Sequence, residues 1–267
     1  MGGHLFENDL ELTLVLVGRT GNGKSATGNS IIGSNKFESK RSSSGITTSS
    51  ELKATVLEDG RMLNVIHTPG FFDSSLDLEY LRKEIVRSID LARDGIHAVL
   101  VVFSACNRFS DEERAVVSNL ETLFGTKIYD YMIIVFTGGD ELEDDEISLE
   151  KFICDNLESL KEIVSRCGNR CVLFDNKTRN EAKKSSQMKE LLSCVKKVSK
   201  NTCGEPYSIE MFAELKKNNL QLLRDVQGLK EKCNLTEEEM LFLREQMRDK
   251  LLMRIIEVFE SKFEKLE

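Results

Sequence analysis

Gly18-Arg19-Thr20-Gly21-Asn22-Gly23-Lys24-Ser25 decides how the rest of this 267-residue chain is read. Glycines let a backbone curl until successive N–H groups point inward, and a helix that follows directs its positive end at the same spot. Lys24 adds a fixed positive charge suited to β- and γ-phosphates, and Ser25 offers a hydroxyl to Mg²⁺. The loop is preceded by a strand-like apolar run at residues 10–17 (LELTLVLV) and followed by a helical pattern at residues 24–32. Strand, glycine loop and helix are the context that phosphate cradling needs. The competing reading is a glycine-rich turn with an incidental lysine. Gly18, Arg19, Thr20, Gly21, Asn22, Gly23, Lys24, Ser25 and Ala26 are therefore candidate cofactor-binding residues, with Ser25 a candidate metal ligand.

Downstream, residues 37–50 are rich in Ser, Thr and Lys and have no hydrophobic face, a loop composition. Two short strands are expected at residues 52–57 and 62–66, joined as a hairpin across Glu58-Asp59-Gly60. A helix at 78–92 leads to the apolar run 98–103, which suits a strand buried on both faces. Helices at 111–124, 148–164 and after Asn180 then alternate with strands at 131–136 and 171–174. That order predicts an α/β fold of P-loop NTPase type, a mostly parallel sheet with helices on both faces. The connection between the first two strands is expected to be a right-handed crossover.

Gly204-Glu205-Pro206 breaks the last helix, and this marks an expected boundary between a nucleotide-binding domain at 1–204 and a C-terminal helical extension at 205–267. In the extension, Leu222, Val226, Leu229 and Cys233 keep three-four spacing, as do Met240, Leu243, Met247 and Leu251. The pattern reads as two helices, the second opened by a capping box at Thr236 and Glu239. The apolar stripe suits either packing back on the first domain or a coiled-coil or membrane-lying segment. Few heptads and mixed charges favour packing.

A net charge of -8 and a pI near 5.2 argue against a general nucleic-acid binder, because no overall basic field is present. Seven cysteines, an odd number scattered through core-like segments, read as reduced thiols and a cytoplasmic location. Cys167 and Cys171 have the spacing of half a metal site, but no second pair follows at zinc spacing, so a structural role is expected. The N-terminal residues lack a signal-peptide core, and Phe6 stands where myristoylation would want Ser or Thr. No apolar run approaches the roughly 18 residues of a spanning helix, so any membrane contact is expected to be peripheral.

The loop does not choose the base. Val135-Phe136-Thr137-Gly138-Gly139-Asp140 sets an acid just past the end of a buried strand, where ligands sit in doubly wound sheets. Asp140 can accept the N1 and N2 protons of guanine, whereas adenine would leave that carboxylate unpaired. Alternatively Asp140 opens a merely solvated acidic run over residues 140–146.

These residues together resemble the AIG/GIMAP family, the immune-associated nucleotide-binding GTPases, and its plant-type members most. Gly18 to Ser25 matches the family's phosphate loop, and Ala26-Thr27-Gly28-Asn29-Ser30-Ile31 is similar to its continuation. Gly45-Ile46-Thr47 resembles the first switch, Thr68-Pro69-Gly70 the second, and Thr137 to Asp140 the base-reading loop. Leu173-Phe174-Asp175-Asn176-Lys177 looks like the last loop around the base, and Cys106-Asn107-Arg108-Phe109-Ser110-Asp111-Glu112-Glu113-Arg114 is similar to the box that marks the family. The resemblance covers roughly residues 10–200 and implies a G domain that binds GDP and GTP with Mg²⁺. It also implies Thr137 and Asn176 as base-side residues, Thr47 as a second metal ligand, a homodimer through the nucleotide-facing surface, and work at an intracellular membrane. The immune association rests on this resemblance alone.

Two departures bear on catalysis. The second switch ordinarily begins with Asp, which supports a Mg²⁺-bound water, and here His67 stands there. An imidazole can accept one hydrogen bond but brings no negative charge to the cation, which puts Mg²⁺ affinity and switching in question, unless His67 is merely the last residue of a strand. After Gly70 come Phe71 and Phe72, where Ras-like proteins keep a water-orienting glutamine. Arg108 is the candidate catalytic residue, supplied across a dimer; its other reading is a surface arginine paired with Asp111 or Glu112. The expectation is thus a molecular switch with slow GTP hydrolysis. A GDP-bound scaffold with little hydrolysis and a small-molecule P-loop kinase are the rival readings.

Overall fold

The computed structural model describes residues 11–38, 49–70, 78–92, 95–208 and 236–258, with four isolated positions beyond 208. Six strands form one sheet: β1 (Glu11–Val17), β2 (Glu51–Val56), β3 (Met62–His67), β4 (Ala98–Ser104), β5 (Met132–Thr137) and β6 (Cys171–Phe174), in the order β2-β3-β1-β4-β5-β6. All pairings are parallel except that of β2 with β3. The runs AVLVVFS and MIIVFT of β4 and β5 are buried almost throughout, as strands covered on both faces must be. At the sheet edge β2 is half exposed, with Leu52 and Val56 open to solvent, and carries charged Glu51 and Lys53.

The hairpin of β2 and β3 forms as expected, closed by Leu57 N–H donating to the Arg61 carbonyl at 2.9 Å. The expected crossover between the first two strands does not: β2 runs antiparallel to β3 and is not a neighbour of β1. The handedness rule applies to parallel strands of one sheet, and the parallel neighbours of β1 are β3 and β4.

Eight helices are described: α1 (Lys24–Ile32), α2 (Leu78–Leu91), α3 (Asp111–Phe124), α4 (Gly139–Asp144), α5 (Leu149–Cys154), α6 (Glu158–Arg166), α7 (Glu181–Asn201) and α8 (Glu237–Val258). They cover both faces. Val15, Val17 and Val99 meet Ile85 and Ile89 of α2 and Leu120 and Leu123 of α3 around a small apolar cavity of about 30 Å³. Leu16, which points the other way by strand alternation, lies against Gly28 of α1. The helix expected over 148–164 is two helices. Asn156 lies at the break, its Oδ1 accepting from the N–H of Leu157 at 3.0 Å and of Phe109 at 3.3 Å, which offers the backbone an alternative to helical bonding.

Beyond α7 the chain stays on the sheet domain through Tyr207, which is buried and pairs with Ile96. The capping box opens α8 as expected, Thr236 N–H donating to Glu239 Oε2 at 2.9 Å and Glu239 N–H to Thr236 Oγ1 at 3.3 Å. This helix packs against α2, with Met240 and Ile256 buried and Leu243 and Met247 half-buried. Most of the expected face is therefore turned inward. The first C-terminal helix expected around Leu222 to Cys233, like the first switch with Thr47, lies outside the described residues.

Candidate functional site

The glycine loop starts where β1 ends, between the ends of β3 and β4, which is the point at which the sheet's strand order departs in two directions. Gly18 has φ 145°, and a Cβ there would lie 2.5 Å from the Val102 carbonyl oxygen, so only glycine lets the loop leave β1 along β4. Among the described residues the N–H groups of Gly21, Gly23, Ser25 and Ala26 have no protein acceptor. They are donors at the start of α1, whose first turn contains no acid. Lys24 is buried, and its Nζ donates to the carbonyls of Gly18 and Arg19 at 2.8 Å each. A phosphate needs this combination of glycine curvature, N–H groups and a lysine, and the cradle fits one.

Asn22 ties this loop to two neighbours. Its Nδ2 donates to the Val102 carbonyl at 3.0 Å and to Glu113 Oε1 at 2.9 Å, while its own carbonyl accepts from Thr137 Oγ1 at 2.9 Å. Glu113 is held in turn by a reciprocal cap with Ser110 at the start of α3. Burial raises the Glu113 carboxyl above its usual range, although hydrogen bonds from Ser110 and Asn22 work the other way. On the opposite side residues 68–70 pack on the loop: a Cβ on Gly70 would fall 2.0 Å from Thr20 Oγ1, and Thr68 Oγ1 donates to the Leu16 carbonyl at 2.7 Å.

His67 is not simply the end of a strand. Its Nε2 lies 3.1 Å from Ser25 Oγ, and its ring sits 5.1 Å from that of Phe37. Asn29 fixes the Phe37 segment, accepting from the N–H groups of Lys36 and Phe37 through Oδ1 and donating to the Phe37 carbonyl. Burial, and then the positive charge of Lys24, lower the imidazole from 6.5 to about 3, so His67 is neutral at physiological pH. The serine hydroxyl donates if the ring proton is on Nδ1 and accepts if it is on Nε2. A strand-end aspartate normally supports the cation that a P-loop serine binds. Mg²⁺ takes oxygen donors, and the pair found here is one hydroxyl with one uncharged nitrogen. These residues do not fit the ordinary Mg²⁺ arrangement.

At the base end, Ser104, Thr137 and Phe174 are level in register across β4, β5 and β6. Asp140 lies in the first turn of α4, a helix formed by the acidic run that the sequence leaves as a solvated face. The carboxylate is fixed by Lys177 Nζ at 2.5 Å. Asn176 Oδ1 accepts from Ser30 Oγ at 2.7 Å and its Nδ2 donates to Thr27 Oγ1 at 3.1 Å, so this side chain holds the last loop on α1. Burial alone would raise Asp175, but its hydrogen bond from Lys183 at 2.8 Å and others from the loop backbone bring it below its usual range.

Arg108 is exposed, and among the described residues it makes no ion pair or hydrogen bond. The acids expected as its surface partners are engaged otherwise, Asp111 with Arg114 at 3.1 Å and Glu112 with Arg19 at 3.8 Å. Cys167 is buried and its thiol is pushed up to about 12 by burial, and no group of three or more His, Cys, Asp or Glu able to hold a metal is found among the described residues. No described helix is long and apolar enough to cross a membrane. Glu113, Lys177 and the anchoring pair Thr27 and Ser30 lie in the quoted motifs, but the sequence assigned none of them a role of its own. Only Glu113 carried a readable signal, the Ser110-x-x-Glu113 cap.

Residues 12–227 match the model of the AIG1 family. Immune-associated nucleotide-binding protein 9 of Arabidopsis thaliana is 48% identical, the match covering 98% of this chain and 80% of that protein. Immune-associated nucleotide-binding protein 8 of the same plant is 47% identical over 88% of this chain and 67% of its own length. Among solved structures, Toc33 from Arabidopsis thaliana in complex with GDP and Mg²⁺ aligns with a TM-score of 0.56 at 22% identity, covering 72% of this chain and 85% of that one. A dimerization-deficient mutant of the same protein aligns at 0.57, with the same identity and coverage. These structures share the fold.

Proposed function

Because the chain belongs to the AIG1 family, we propose that it is a GTP-binding protein that takes up GDP and GTP and works as a molecular switch with slow hydrolysis. The observation that carries this reading is the shelf formed by Lys24, Asn22, Thr137 and Asp140, in which one hydrogen bond, Thr137 Oγ1 to the Asn22 carbonyl, links the phosphate cradle to the base-reading loop. Lys24 exchanges its carbonyl partners for phosphate oxygens, the loop N–H groups surround them, and Asp140 accepts from the guanine edge while Lys177 holds its second oxygen. The γ-phosphate is the group to which the switch responds.

Arg108 supports a homodimer through the nucleotide-facing surface, because an exposed guanidinium that makes no ion pair or hydrogen bond among the described residues suits a group inserted into a second copy's site. GTP turnover per molecule is expected to rise with protein concentration in the wild type and to lose that rise in Arg108→Ala. A turnover independent of concentration removes the dimer from the mechanism. The helical extension, whose last helix packs on α2, is proposed to serve partner or peripheral membrane contact through its outward side.

The contact of Ser25 with His67 favours a second reading, a GDP-bound scaffold with little hydrolysis. A large gain of Mg²⁺-dependent turnover in His67→Asp supports the scaffold; unchanged turnover supports the switch.

A further inference from the structure

We propose that this chain binds its guanine nucleotide without needing a divalent cation, because the position that normally supports the cation is occupied by the closed, uncharged pair of Ser25 and His67. The inference rests on the guanine-nucleotide reading above. In a Mg²⁺-dependent P-loop site, the cation binds the loop hydroxyl and phosphate oxygens and lies between those phosphates and the strand-end carboxylate. Removing it there leaves a carboxylate facing phosphate, and like charges at such distances repel strongly in a half-dry site. Here that cost is absent. His67 Nε2 faces Ser25 Oγ at 3.1 Å, and the ring is 2% exposed, with Phe37 packed 5.1 Å away.

The other charges near the cradle point to the same conclusion. The two acids that approach the loop from α3 are already engaged, Glu113 with Asn22 at 2.9 Å and Glu112 with Arg19 at 3.8 Å. The first turn of α1 has no acid. A phosphate in the cradle therefore meets the buried ammonium of Lys24 and the positive end of α1. None of the described side chains presents it with an unpaired carboxylate that only a cation could neutralise.

The test is a titration of the full chain with fluorescent GDP in three buffers containing EDTA, Mg²⁺ or Mn²⁺. The dissociation constants in EDTA and in Mg²⁺ are expected to agree within about threefold. Binding weaker in EDTA by about tenfold or more, or tightened that much by Mn²⁺ alone through the imidazole, overturns the inference while leaving the guanine reading intact. Absence of binding in all three buffers overturns the guanine reading itself. His67→Asp is expected to acquire a cation dependence of about tenfold or more, whereas His67→Asn, which restores no charge, keeps the wild-type independence. If the aspartate variant does not fold, the wild type and His67→Asn decide the matter.

Discussion

At the base end of the site a carboxylate is held partly open against a lysine, Asp140 with Lys177, whereas at the cation end the corresponding position is a buried imidazole without charge. The first arrangement keeps an acceptor that only certain base edges can satisfy. The second gives up the charge through which a metal would be held. On the proposed reading, nucleotide recognition and cation handling are separable within one sheet end, and Asn22 and Thr137 hold the two regions in register.

The comparison breaks most easily at the cradle between the two ends. Lys24→Ala removes the buried ammonium of the cradle, and GDP affinity is expected to fall on the order of a thousandfold in a fluorescent-nucleotide titration. Retained affinity would show that the loop does not carry the phosphates.

A smaller effect sharpens the cation end. The folded protein protonates His67 only near pH 3, while the unfolded chain does so near 6.5. The unfolded state therefore binds more protons between these values, so this contribution to stability is complete above about pH 6.5 and is lost as pH falls toward 3. Between pH 7 and 5 the loss is about 2 kcal/mol, measurable by denaturant titration at each pH, and His67→Asn should flatten it. An equal pH slope in wild type and variant would contradict the burial of a neutral imidazole.

The smallest effect concerns the link between the ends. Glu113→Ala removes both a helix cap and an acceptor of Asn22, and thermal unfolding should report about 1–2 kcal/mol of lost stability. No change would mean that α3 does not brace the cradle.

How much of this was legible follows from which interactions are local. The strands of the parallel core and the helices α1 and α3 announce themselves through apolar runs, a glycine loop and a capping residue, and they form where the sequence predicts them. The expected single helix over 148–164 fails at Asn156, where a side chain competes for backbone donors and no proline or glycine marks the break. The orientation of β2 depends on which strand it pairs with, and a hairpin pattern alone does not say which of its two arms joins β1. In the site, the change from Asp to His at residue 67 can be read directly, but its contact with Ser25 spans 42 residues and required the fold. Asn176 is similar: its motif names a base-side loop, and only the geometry reveals Thr27 and Ser30 of α1 as the partners of its side chain.

The most direct measurement is competition of GDP and ADP for a fluorescent guanine nucleotide on the wild type and on Asp140→Ala. The wild type is expected to prefer GDP by a factor on the order of a hundred or more, and the variant to lose most of that preference. Equal competition by ADP on the wild type would contradict guanine recognition by Asp140 and with it the assignment as a GTP-binding protein.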